Sequence, residues 1–330
     1  MKKYKIQDPL KKGAITLLDG VLSILFRRTH PFPKVIRRIL ILRLDNLGDI
    51  LLTRPLLFSL RQAYPEAQID VLMKTPACNV LRFDAFVDKV LFDSKKERRA
   101  LKQYDLVIEP KGRLDYALLV HQLKPQYSIG FGDAGGGAFF DVCLFQGDQN
   151  SMTKNRAICE TLRIKYLVEI PVLNVPADLK ASHMKYSEFV LISPFSSRAE
   201  KDWGISRFRE LASELQKLGK SFLFCGEKSR EKELELLVDT KWEVKLFQPD
   251  QLGSWMALVS SVKLVIAPDS AVIHVAVAAR VPSIALYSLE DPAIWHPYDA
   301  NRHRVLRAKE GRMSAITTAQ VLECVDGVTT

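Results

Sequence analysis

The feature that most constrains this chain is an alternation of short apolar runs with segments of helical period, laid down once and then restarted. Residues 37–44 (RRILILRL) are apolar at successive positions, as in a parallel strand covered on both faces. The loop Asp45-Asn46-Leu47-Gly48-Asp49 follows, and residues 50–64 carry helical spacing. Further strands are expected at 69–73, 89–92 and 105–108. Residues 166–188 hold Pro171 and Pro176 and show no helical period, so they read as a connection. The rhythm then resumes. Strands are expected at 189–193, 221–225, 244–247, 264–267 and 283–287, with helices at 208–218, 230–237, 252–260 and 271–280. Alternating β and α segments of this kind predict parallel sheets with helices on both faces. The expected fold class is therefore α/β, with two Rossmann-like doubly wound domains. Ligands are expected in a cleft between the carboxyl ends of their strands. The divisions are a basic extension over 1–36, a first domain over 37–175 and a second over 176–330.

Composition narrows the partners. The 330 residues carry 48 Lys+Arg against 38 Asp+Glu, a net charge of +10, which favours anionic ligands. Much of the excess lies in the first 43 residues, where eleven Lys and Arg face only Asp8 and Asp19. Basic residues are not interleaved with aromatics along one face, so nucleic acid is not expected as a partner. The five cysteines are scattered and form no CxxC, which reads as buried free thiols in a reducing, cytoplasmic setting. Residues 10–28 (LKKGAITLLDGVLSILFRR) are too short and too interrupted to span a bilayer. On a helical wheel Lys12, Thr16, Asp19, Ser23 and Arg27 form a polar stripe opposite Ile15, Leu18, Val21, Leu22, Leu25 and Phe26. Such a basic amphipathic helix suits either a membrane surface or packing on the domain.

Three segments could carry chemistry. In Leu264–His274 (LVIAPDSAVIH) a strand ends at Pro268, and Asp269 and Ser270 stand where a helix is capped. Small side chains at Ser270 and Ala271 would let a phosphate reach the helix N-terminus, with His274 one turn on. Alone, the segment reads equally as a capped helix with a packed histidine. In Ser193–Trp203 (SPFSSRAEKDW), Ser196 and Ser197 with Arg198 and Lys201 suit a diphosphate, or form a solvated loop. In Asp45–Thr53 (DNLGDILLT), Gly48 permits a tight turn after the first strand, and Asp49 opens a helix either as a cap or as a general base for a hydroxyl. No GxGxxG follows the first strand, and GxxxxGK[ST], HExxH, GxSxG and paired metal-ligand spacings are absent. No metal or cofactor is expected.

Taken together and in order, these segments resemble glycosyltransferase family 9, the ADP-heptose:lipopolysaccharide heptosyltransferases. RILILRLDNLGDILLTRPLLFSLRQAYPEAQIDVL resembles the family's N-terminal signature, and SPFSSRAEKDWGISRFRELASEL its first C-terminal motif. LVIAPDSAVIHVAVAARVPSIALYS is similar to its D-[ST]-G-x-x-H-x-A-A motif. The likeness runs from about residue 37 to 290, with YDLVIEPKGR between. It implies a GT-B fold and an inverting, metal-independent transfer of heptose from an ADP-heptose donor. The implied acceptor is the lipopolysaccharide inner core, either Kdo or a first heptose, or a similar lipid-linked glycan met at the cytoplasmic membrane face. By motif position Asp49 corresponds to the base. Ser196, Ser197 and Lys201 correspond to the diphosphate loop, and Asp269, Ser270, Ala271 and His274 to the donor-binding helix start. Glu231 falls near the place of an acidic residue beside the adenosine ribose. The sequence departs at Ala271, where the family has Gly, and in its N-terminal extension. Two other readings stand beside transfer: a non-catalytic nucleotide-sugar-binding protein, and a GT-B enzyme that hydrolyses or epimerises a nucleotide sugar.

Overall fold

The computed structural model describes residues 9–26, 29–75, 79–101, 103–147, 149–167, 170–196, 198–237, 239, 241–248, 251–288, 290–295 and 298–329. The chain divides into two compact units, Met1–Glu169 and Ile170–Thr330.

The first unit is built on one parallel sheet. Strand β1 (Arg38–Arg43) lies between β2 (Gln68–Met73) and β4 (Leu106–Glu109). Outside them pair β3 (Lys89–Phe92), β5 (Tyr127–Phe131) and β6 (Val142–Leu144), giving the order β3-β2-β1-β4-β5-β6. Ile39 through Leu42 are all fully buried, as the uninterrupted apolar run required. The helices are α1 (Pro9–Phe26), α2 (Leu47–Ala63), α3 (Lys95–Ala100), α4 (Leu114–Leu123) and α5 (Ser151–Thr161).

The second unit repeats the winding. It contains β7 (Val190–Ile192), β8 (Phe222–Glu227), β9 (Glu243–Phe247), β10 (Leu264–Pro268), β11 (Ser283–Tyr287) and β12 (His303–Arg307), all parallel, in the order β12-β11-β10-β7-β8-β9. Its helices are α6 (Ala177–Ala181), α7 (Ile205–Lys217), α8 (Glu231–Leu237), α9 (Leu252–Val259), α10 (Ala271–Ala278), α11 (Pro292–Trp295) and α12 (Thr318–Thr329). Helix α7 buries Phe208, Leu211, Ala212 and Leu215, the i, i+3, i+4, i+7 stripe of a helix laid on a sheet. Counted from its own first strand, each unit has the order 3-2-1-4-5-6, the Rossmann winding. The connection reverses direction between β1 and β4 in one unit and between β7 and β10 in the other. Those two switch points are where such sheets bind ligands.

Three strands escaped the sequence pattern: β5, β6 and β12. Residues 130–137 (GFGDAGGG) have the composition of a glycine-rich loop, yet Gly130 and Phe131 belong to β5. A Cβ at Gly130 would lie 2.3 Å from the Phe140 ring, so the glycine serves strand packing there rather than a turn. Gly135 and Gly136 do take left-handed φ values of 94° and 80°.

Helix α1 corrects the wheel. Asp19, placed on the polar stripe, is only 1% exposed and accepts the Gly136 N–H at 2.7 Å. Ile15 and Leu22 are half-buried on the same inward face, and Phe26 meets the rings of His121 and Phe139 at 5.3 and 6.0 Å. Val21 and Leu25 face outward with Leu17 and Ile24. The inward face is thus held by the buried Asp19, which bonds a backbone amide in a glycine turn, together with the packing of Ile15, Leu22 and Phe26.

Candidate functional site

At the switch point of the first unit the chain leaves β1 at Arg43 and re-enters helix at Leu47. Gly48 does not make this turn. It is the second residue of α2 and has no left-handed φ, whereas Asn46 caps the helix with an extended backbone (φ −78°, ψ 163°). Asp49 lies in the first turn of α2. Its Oδ1 accepts from Lys111 Nζ at 2.9 Å, and its backbone carbonyl accepts from Arg43 Nε at 3.2 Å and Nη2 at 2.9 Å. Asp45 joins the group, 3.1 Å from Arg43 Nη1 and 3.8 Å from Lys111 Nζ. Asp49 is thus no isolated acid. It stands in a network with Asp45, Arg43 and Lys111, drawn from the carboxyl ends of β1 and β4.

Lys111 is held by Glu109, the last residue of β4. The Glu109 carboxylate is fully buried. It accepts the N–H of Lys111 at 2.9 Å and that of Gly112 at 2.8 Å. Burial pushes this carboxyl up to about 7 against those two hydrogen bonds, with Asp45 adding to the rise. The folded protein therefore keeps a proton that the unfolded chain has released. Stability is highest below the ordinary glutamate range and falls as pH rises to about 7. Glu109→Gln should remove this slope. Between pH 5 and pH 8 the wild-type Tm should drop by an increment that the variant lacks, and thermal melts at both pH values measure it. Parallel pH profiles in the two proteins would disprove the assignment.

The switch point of the second unit gathers the ends of β7 and β10. Ser270 is the N-cap of α10, yet its side chain makes no capping hydrogen bond, and its Oγ is buried with no partner among the described residues. The neighbouring Asp269 does not cap either: its carboxylate pairs with Lys201 Nζ. Glu290 lies 3.6 Å from the same nitrogen and also pairs with Arg198. Ala271 opens α10 with an ordinary helical backbone, so its methyl carries no strain. His274 is buried, its Nδ1 2.5 Å from the Tyr298 hydroxyl. Burial and the nearby Asp269 raise the phenols of Tyr298 and Tyr287 far above the usual tyrosine range, keeping both protonated.

The other residues expected at the site have local partners or lie outside the described residues. The Ser196 hydroxyl donates to the Arg198 carbonyl at 2.6 Å and accepts the Arg198 N–H at 3.2 Å, while its own N–H donates to Asp202 at 2.7 Å. Ser196 therefore shapes its own loop, because an ST-type turn uses the hydroxyl locally. Ser197 lies outside the described residues. Glu231 starts α8 and pairs with Lys228 three residues earlier. Arg230, beside it, stacks over Phe195 with 4.0 Å to the ring centroid and reaches Asp202 at 3.3 Å, tying α8 to the loop after β7.

Sequence reasoning missed Arg43, Asp45, Glu109 and Lys111 as a unit, and Tyr298 and Glu290 likewise. For Glu109 and Lys111 a signal existed: the EPKG run ends a strand that neighbours β1 in a Rossmann winding. Among the described residues no three His, Cys, Asp or Glu side chains stand as a metal-binding group, and no helix is long and apolar enough to cross a membrane.

Chemically, the first switch point offers a carboxylate positioned by an ammonium. The second offers an uncapped helix N-terminus, a buried hydroxyl and a lysine, which are features that receive phosphate oxygens.

The chain is similar to known proteins. A family model described as glycosyltransferase family 9 (heptosyltransferase) matches residues 95–325. The lipopolysaccharide core heptosyltransferase OpsX of Haemophilus influenzae is 24% identical over 295 residues, covering 81% of this chain and 84% of its own. The solved E. coli ADP-heptose lps heptosyltransferase II superposes with a TM-score of 0.76 at 20% identity, over 88% of this chain and 98% of that one. E. coli heptosyltransferase WaaC with ADP-2-deoxy-2-fluoro heptose gives a TM-score of 0.73 at 22% identity, over 88% and 99%. These likenesses establish the GT-B fold class for the two parallel sheets.

Proposed function

The chain belongs to glycosyltransferase family 9, the heptosyltransferases, and from that premise we propose that it moves a heptose from ADP-heptose to the lipopolysaccharide core or a similar lipid-linked glycan. The donor choice rests on WaaC, a structural neighbour solved with an ADP-heptose analogue. The acceptor choice rests on relatives named for the lipopolysaccharide core. A nucleotide-activated donor sets the reaction in the cytoplasm, and a lipid-linked acceptor sets it at the membrane boundary.

In this reading Asp49 takes the proton of the acceptor hydroxyl as that oxygen attacks the anomeric carbon. Direct displacement inverts that carbon, and ADP departs with the bonding pair. Lys201, the Ser270 hydroxyl and the amide end of α10 meet the charge developing on the leaving diphosphate. No metal is called on for that task. Asp269 and His274 orient sugar hydroxyls. Lys111 fixes the Asp49 carboxylate, and Glu109 fixes Lys111.

The observation that carries the donor half is the α10 terminus, where Ser270 Oγ is buried with no partner among the described residues and the helix has no side-chain cap. A buried hydroxyl left in that state costs about 1–3 kcal/mol, which a ligand oxygen would offset. Thermal shift with ADP, ADP-heptose and UDP-sugars tests it, since a true donor stabilises by mass action. Lys201→Ala should raise the Kd for ADP about tenfold to a hundredfold, the worth of one charge-assisted contact at about 1.5–3 kcal/mol. An unchanged Kd would remove Lys201 from the site. ADP release that depends on acceptor separates transfer from hydrolysis, epimerisation or simple binding. The unstrained backbone of Ala271 gives no support to a loss of activity.

A further inference from the structure

Helix α1 is built inside out. Its one acidic residue points inward, where Asp19 accepts the Gly136 amide at 2.7 Å, and a Cβ at Gly135 would lie 2.8 Å from Ile15. The helix is therefore latched to a glycine turn that admits nothing larger. Its outward face is apolar: Leu17 is 73% exposed, Val21 48%, Ile24 85% and Leu25 65%. These positions follow i, i+4, i+7, i+8 and share one side of the helix. Leu118 on α4, 42% exposed, stands one turn before the His121 ring that Phe26 touches.

We propose that this outward face docks on an anionic lipid surface, lying in the interface without crossing it. Charge selects the occupant. Lys2, Lys3, Lys5, Lys11 and Lys12 precede the apolar residues in the sequence, and Arg27 and Arg28 follow them. Asp8 is the only acid there besides the inward Asp19. An apolar face with basic flanks matches the boundary between acyl chains and acidic headgroups. A second copy is a poor occupant, because a two-fold contact of α1 on α1 brings both sets of basic flanks together.

The test is co-sedimentation of the full chain with vesicles of phosphatidylethanolamine and phosphatidylglycerol, against vesicles of phosphatidylcholine alone. Binding should be about tenfold stronger or more to the anionic vesicles and should weaken in high salt. The double variant Leu17→Asn, Ile24→Asn should bind those vesicles about tenfold less or worse, with an unchanged Tm because both positions are exposed. A wild-type protein left in the supernatant with both vesicle types overturns the proposal. So does a double variant that binds as well as wild type. A wild-type dimer on size exclusion that the double variant turns into monomer would assign the face to a second copy instead. Vesicle binding is read without turnover, so its failure leaves heptosyl transfer standing, and a failure of transfer leaves vesicle binding standing.

Discussion

Asp49→Asn should lower the turnover of heptosyl transfer by about 10²–10⁴-fold, the usual contribution of a positioned general base, while the Kd for ADP stays within error of wild type. The asymmetry follows from the structure. Asn has the size of Asp and can still accept from Lys111 Nζ, which sits 2.9 Å from Oδ1, so the network around Arg43 and Asp45 survives. It cannot take up the acceptor's proton at neutral pH. The groups proposed to hold the nucleotide belong to the second unit, at Lys201 and the α10 terminus, and the substitution leaves them alone. Acceptor-dependent ADP release measures the first quantity and titration calorimetry the second. Turnover at the wild-type rate would exclude Asp49 as the base. A parallel loss of ADP affinity would instead make it part of donor binding.

The second large effect concerns what aims α2. Arg54, one turn and a half beyond Asp49, is fully buried, and its Nε and Nη2 donate to the two Asp84 oxygens, both at 2.7 Å. Breaking a buried pair of this kind from one side leaves a charge without its partner, at a cost of about 3–5 kcal/mol. Arg54→Ala should therefore lower unfolding stability by that amount in chemical denaturation. Hydrogen exchange should localise the loss to α2 and the neighbouring edge of the first sheet. Replacing both partners together, Arg54→Met with Asp84→Leu, should cost much less, because no lone charge remains. Near-equal losses in the single and double variants would show that packing rather than charge anchors the helix.

How far the sequence could be read depends on which force fixes each element. β1 and β10 were legible because strands buried on both faces are predominantly apolar, and the ILIL and LVIA runs show it directly. β12 (HRVLR) was not, because an edge strand faces solvent on one side and has a mixed composition. The three-residue β6 is too short for any period to register. Asp49, Lys201 and Asp269 follow strand ends that local punctuation marks, and the Rossmann winding brings their segments to the switch points. The Ser196 hydroxyl bonds within its own loop, a direction that the residue types do not encode. Glu109 and Lys111 become visible only once β4 is known to lie beside β1. The inward turn of Asp19 was hidden for a related reason: its partner is a backbone amide 117 positions away.

The repetition of one winding in both halves has an evolutionary consequence. The loops after β1, β4, β7 and β10 can exchange side chains, lengthen or shrink while the sheets that present them stay as they are. Selection could thus retune which sugar or which glycan is accepted through a few codons in those loops. A change in strand order would have to rebuild an entire half of the molecule.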